Sequence, residues 1–151
     1  MVKLKVSAIE GFVNQPNAEI VAVLLYGEDN GLVRERSMRL ANGVVDDPTD
    51  PFRVAEISVA QLKDEPSRLF DEMAAMCLTG GRRLVRLDQA GNGQTRAIQS
   101  VLDDLSITSQ DSFLLVEAAA LGPRDSLRKL FENHERGAAL PCYLDDGRSL
   151  E

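Results

Sequence analysis

The chain has 151 residues, 44% hydrophobic and 27% charged, which is the balance of one soluble globular domain with a single core. Its formal charge of −7 argues against a duplex-gripping surface, because replacing the counterions of phosphates takes clustered cations. The longest apolar run, residues 20–26, falls well short of the roughly 18 residues of a membrane span, and Met1-Val2-Lys3-Leu4-Lys5 has no signal-like apolar region, so the expected location is the cytoplasm.

Short apolar runs alternate with helical periods along the chain, the signature of β-α units around a mainly parallel sheet. Residues 20–25 are the clearest buried strand. It breaks at Gly27, and Asp29 or Asn30 then caps a helix bearing Leu32, Val33, Leu40 and Ala41, with Gly43 expected as its C′ glycine. Residues 46–51 form a turn, after which Phe52, Val54 and Ile57 alternate with polar residues as a second strand. Pro66 opens a new turn, and Leu69, Phe70, Met73, Ala74 and Met76 follow helical spacing up to Gly80-Gly81. Leu84, Val85 and Leu87 begin a third strand. Beyond the Gly91-Asn92-Gly93 loop, Ile98, Val101, Leu102 and Leu105 form an amphipathic stripe, and residues 113–116 are another apolar strand. Pro123 is expected to start a helix carrying Leu127, Leu130 and Phe131, followed by a short strand over residues 139–143. Asp145-Asp146-Gly147 opens a further connection just before Leu150-Glu151, which reads as one domain excised from a longer protein.

No residue set predicts catalysis. The loop Tyr26-Gly27-Glu28-Asp29-Asn30-Gly31 sits where an α/β nucleotide-binding protein holds phosphates, yet a P-loop needs a lysine and a hydroxyl after its second glycine. Here Gly31 is followed by Leu32-Val33, and Glu28 and Asp29 repel phosphate. The dinucleotide pattern G-x-G-x-x-G is missing too, because Gly91 and Gly93 precede Gln94, Thr95 and Arg96. His134, the one histidine, falls on the face of Leu130 and Phe131 and reads as a helix-end residue beside the core. The pairs Asp46-Asp47, Asp103-Asp104 and Asp145-Asp146 suit turns and caps better than a metal. Cys77 and Cys142 lie far apart without C-x-x-C spacing and are expected to be reduced thiols. No cofactor or metal is therefore expected. Arg82, Arg83 and Arg86 make a local basic spot, either a solvated strand edge or a surface that steers an acidic partner.

Three segments carry a resemblance. They are Val23-Leu24-Leu25-Tyr26-Gly27-Glu28-Asp29-Asn30-Gly31-Leu32 with Glu35, then Met76-Cys77-Leu78-Thr79-Gly80-Gly81-Arg82-Arg83-Leu84-Val85, then Leu127-Arg128-Lys129-Leu130-Phe131-Glu132 with residues 138–143. In this order they resemble the N-terminal domain of the bacterial DNA polymerase III delta subunit, of the alphaproteobacterial type, a clamp-loader subunit. The resemblance implies a RecA-like AAA+ domain over residues 1–151 with a degenerate nucleotide motif and no ATPase activity. It implies that the lid and collar domains, which join other clamp-loader subunits, lie outside this chain. It also implies that the sliding clamp is the partner, contacted by a hydrophobic helix-end wedge at Met76, Cys77, Leu78 and Thr79, with Arg82, Arg83 and Arg86 steering the encounter. Neither nucleic acid nor membrane is an expected direct partner.

One position departs from the family pattern. The clamp-binding pair is typically leucine then phenylalanine, and the matching residues are Leu78 and Thr79. Loss of a buried phenylalanine forfeits about 1.5–3 kcal/mol, which either Met76 offsets or weaker binding reflects. The alternative is an α/β enzyme that binds a nucleotide or small molecule in the crevice parallel sheets offer at their strand ends.

Overall fold

Ala22–Tyr26 is buried along its whole length, as its unbroken apolar sequence demands of a strand covered on both faces. The computed structural model describes residues 2–3, 20–45, 47–75, 82–104 and 112–142. In chain order the elements are β1 (Val2–Lys3), β2 (Ala22–Tyr26), α1 (Asn30–Val44), β3 (Val54–Ser58), α2 (Val59–Asp64), α3 (Arg68–Ala74), β4 (Arg83–Ala90), α4 (Thr95–Asp103), β5 (Ser112–Ala118), α5 (Ser126–Asn133) and β6 (Gly137–Pro141). A 3-10 turn, Asn92–Gln94, leads into α4.

The strands form one six-stranded sheet in the order β1-β6-β2-β5-β4-β3, and every pairing is parallel. Alternation along each strand sends side chains to two separate cores. Leu24, Tyr26, Val85, Leu87, Leu114 and Val116 meet α2, α3, α4 and α5 on one face. Val23, Leu25, Leu84, Phe113, Leu115 and Leu140 meet α1 on the other. Because the helix after β2 and the helix after β5 cover opposite faces, the adjacent ends of these two strands open a crevice.

Several boundaries differ from those the sequence suggests. Gly43 is not a C′ residue: α1 continues to bury Val44, and Val45 N–H closes the helix on Ala41 O at 3.0 Å. Phe52 precedes β3 and is 61% exposed, because its amide is held in a turn by Asp50 Oδ1 at 2.9 Å. Pro123 lies in the turn before α5, which Asp125 closes by accepting Gly122 N–H at 2.6 Å, so the helix starts at Ser126. On α3, Leu69 and Met73 are buried while Phe70 is 40% exposed, one position round the helix from the core. That helix ends at Ala74 with Ala75 extended, short of the expected stop at Gly80-Gly81. The last strand begins at Gly137. Asp46, Leu105, Tyr143 and Asp145-Asp146-Gly147 lie outside the described residues.

Candidate functional site

At the C-terminal end of β2, Gly27 is packed against the end of β6. A Cβ there would collide with the Cys142 carbonyl, and Cys142 N–H donates to Tyr26 O at 2.6 Å. Glu28, Asp29 and Asn30 alone separate Gly27 from Gly31, one residue fewer than a phosphate loop needs, and Gly31 already belongs to α1. Asp29 Oδ1 accepts the Leu32 amide at 3.1 Å. A fixed carboxylate thus takes one of the free amides at the helix start, where a phosphate would otherwise sit, and repels a second anion.

Between the start of α1 and the C-terminal ends of β4 and β5 lies a cleft of about 420 Å³ lined by Asn30, Arg34, Asp88, Gln89 and Glu117, among others. Glu117, near the end of β5, is buried and accepts from Ser37 Oγ at 2.5 Å, from Arg86 at 2.9 Å and from Arg34 at 3.4 Å. Two guanidinium groups and a hydroxyl offset the desolvation of one carboxylate, so it is a brace between α1, β4 and β5 rather than a free general base. Beside it Arg36, also buried, donates to Pro141 O at 3.0 Å and ties α1 to β6. Sequence reasoning missed this brace. Its one local signal is a carboxylate closing the otherwise apolar Phe113-Leu114-Leu115-Val116 run.

Met76, Cys77, Leu78 and Thr79 lie outside the described residues, as does the rest of 76–81. The flanks are placed: α3 ends beside the first residues of β4 and β5, at the end of the sheet opposite the crevice. Arg82 is exposed, its guanidinium 5.5 Å from the centre of the Phe113 ring. Arg83 and Arg86 are not the exposed cations that steering assumes. Arg83 donates to Glu72 Oε1 at 2.7 Å and Arg86 to Glu117 at 2.9 Å, because their places in β4 set them against α3 and α1.

His134 caps the end of α5, with Nε2 2.8 Å from Asp103 Oδ1 and Nδ1 accepting Arg136 N–H at 3.1 Å. Asp47 holds a turn through Thr49, and Cys142 is buried, its Sγ donating to Leu140 O at 3.5 Å. Among the described residues no group of three or more His, Cys, Asp or Glu is placed to hold a metal ion, and no helix is long and apolar enough to cross a membrane.

A parallel sheet in this order, covered by helices on both faces, defines a domain of the α/β class with its crevice at the C-terminal ends of the inner strands. Residues 23–139 match the family profile of DNA polymerase III, delta subunit, and the chain belongs to that family. In fold it resembles the Bacillus subtilis DNA clamp loader delta protein, with a TM-score of 0.69 at 18% identity over 91% of this chain and 42% of that one. A DNA polymerase III gamma subunit-related protein from Thermotoga maritima gives 0.57 at 14% identity over 91% of this chain and 45% of that one. The chain thus spans less than half the length of either. No curated protein matches it in sequence.

Proposed function

We propose that this domain is the clamp-gripping first domain of a cytoplasmic clamp-loader delta subunit, aiding the opening and loading of the sliding clamp in DNA replication. The contact is the apolar segment Met76, Cys77, Leu78 and Thr79, approached with the help of Arg82. Association with other clamp-loader subunits belongs to lid and collar domains beyond this chain. The observation that carries the reading is the match to the delta family over residues 23–139. Two features of the fold support it. Asp29 occupies the helix start that a nucleotide would need. The described residues that flank 76–81, the end of α3 and the start of β4, lie at the N-terminal ends of the strands, opposite the ends that open the crevice. Equilibrium binding of the chain to its cognate sliding clamp tests the proposal: saturable association is expected, and none at high micromolar concentration overturns it.

A further inference from the structure

Lys63, near the end of α2, and Arg96, in the first turn of α4, are exposed and make no ion pair among the described residues. Both line a second cleft of about 420 Å³, which lies between α2, the Pro66 turn and the start of α4. Leu62, Pro66 and Ala97 give this cleft an apolar lining, and no carboxylate is among its lining residues. The cleft at the ends of β4 and β5, by contrast, is lined by Asp88 and Glu117. In a chain of net charge −7, a cleft whose charged groups are all positive favours a negative occupant. Two further features add to that preference. No side-chain bond caps the start of α4 and its first turn holds no acid, so the positive end of the helix dipole is uncovered. Gln94, 7% exposed and also in the lining, accepts Gly91 N–H through Oε1 at 2.7 Å, while its Nε2 donor has no acceptor among the described residues.

We propose that this cleft docks a short acidic segment of a partner protein, in which an apolar side chain is flanked by carboxylates. The carboxylates meet Lys63, Arg96 and the start of α4, and the apolar side chain covers Leu62, Pro66 and Ala97. The apolar lining decides against a phosphate, because inorganic phosphate or a nucleic-acid backbone would meet the two cations and leave that lining wet. A duplex also needs more clustered cations than Lys63 and Arg96 provide. The site shares no residue with the proposed clamp contact, so it is a second docking surface that does not depend on that reading. Exposed charge pairs contribute little singly, and the contact is therefore weak and quickly reversed.

The test is fluorescence anisotropy of the chain with a fluorescein-labelled peptide that carries one phenylalanine between aspartates. Saturable binding with a dissociation constant on the order of 100 µM is expected. Lys63→Gln and Arg96→Gln are each expected to weaken it about threefold and together about tenfold, with a smaller effect at high salt. Both side chains are exposed, so the melting temperature is expected to stay unchanged, which separates lost docking from lost folding. A peptide with alanine in place of the phenylalanine is expected to bind about tenfold less tightly. No saturable binding overturns the proposal, as does binding that both variants leave unchanged. Equal binding of the alanine peptide reduces the cleft to a charged patch and overturns it. Tighter binding of a single-stranded DNA oligomer of the same charge makes it a phosphate site and overturns it too.

Discussion

Ser37 Oγ on α1 lies 2.5 Å from a Glu117 carboxylate oxygen on β5, and Arg86 on β4 reaches the same oxygen at 2.9 Å. Glu117→Ala is expected to destabilise the fold by about 3 kcal/mol, because it leaves a largely buried guanidinium and a buried hydroxyl without their acceptor. Urea denaturation checks this, and a loss under about 0.5 kcal/mol would contradict the brace.

Acid sensitivity follows from the turn before α5. Asp125 accepts from the Asn92 side chain and from Gly122 N–H, and these bonds hold its carboxyl below the usual carboxylate range. The folded state then resists a proton that the unfolded chain accepts. The contribution is present above the ordinary carboxylate value and fades as pH falls from about 4 downward. Asp125→Asn is expected to flatten the fall in melting temperature over that range; an unchanged slope would show that the turn does not contribute. Asp47, held low by Thr49, adds to the same slope and is left intact in this comparison.

Two glycines are expected to respond in opposite directions. Gly27→Ala drives a methyl into the Cys142 carbonyl and costs about 1–3 kcal/mol, since strands β2 and β6 must separate. Gly43→Ala, inside α1 with nothing within 4 Å of the added carbon, stabilises by about 0.5–1 kcal/mol. Chemical denaturation of both variants checks the pair, and a neutral Gly27→Ala would contradict the packing of the loop on β6.

At the loop itself, calorimetry with ATP and magnesium is expected to give no binding heat, since Asp29 caps the helix that a phosphate would need and Leu32 stands in place of lysine. Removing that cap with Asp29→Ala costs about 1 kcal/mol of stability. Tight ATP binding by the wild type would contradict both the cap argument and the non-catalytic reading.

The parallel α/β architecture was legible because its strands are covered on both faces, which writes them as unbroken apolar runs at residues 22–26 and 113–116. The cap of α1 was legible to within one residue, Asp29 or Asn30, because it is a local contact across three residues, and the structure assigns it to Asp29. Boundaries were harder. Phe70 follows Leu69 directly, and about 100° of helix turn separates a buried from an exposed side chain that spacing alone groups together. Glu117 and Arg83 were missed as structural groups because their partners lie far off in sequence: Ser37 is 80 residues from Glu117, and Glu72 is 11 residues from Arg83. A charged residue looks free in a sequence until the fold supplies its partner. The clamp-contact residues were named from family resemblance, with no local signal beyond three consecutive apolar side chains, Met76, Cys77 and Leu78.

The most direct test of the central claim is the affinity of the Leu78→Ala variant for the sliding clamp, measured beside its melting temperature. As an anchor residue, Leu78 is expected to cost about 2 kcal/mol or more of binding when truncated, roughly thirtyfold, with little change in stability. Thr79→Phe is expected to tighten binding by restoring the aromatic half of the pair. If Leu78→Ala instead melts lower by the equivalent of about 2–5 kcal/mol while its folded fraction binds the clamp normally, Leu78 is a core residue and the wedge is contradicted.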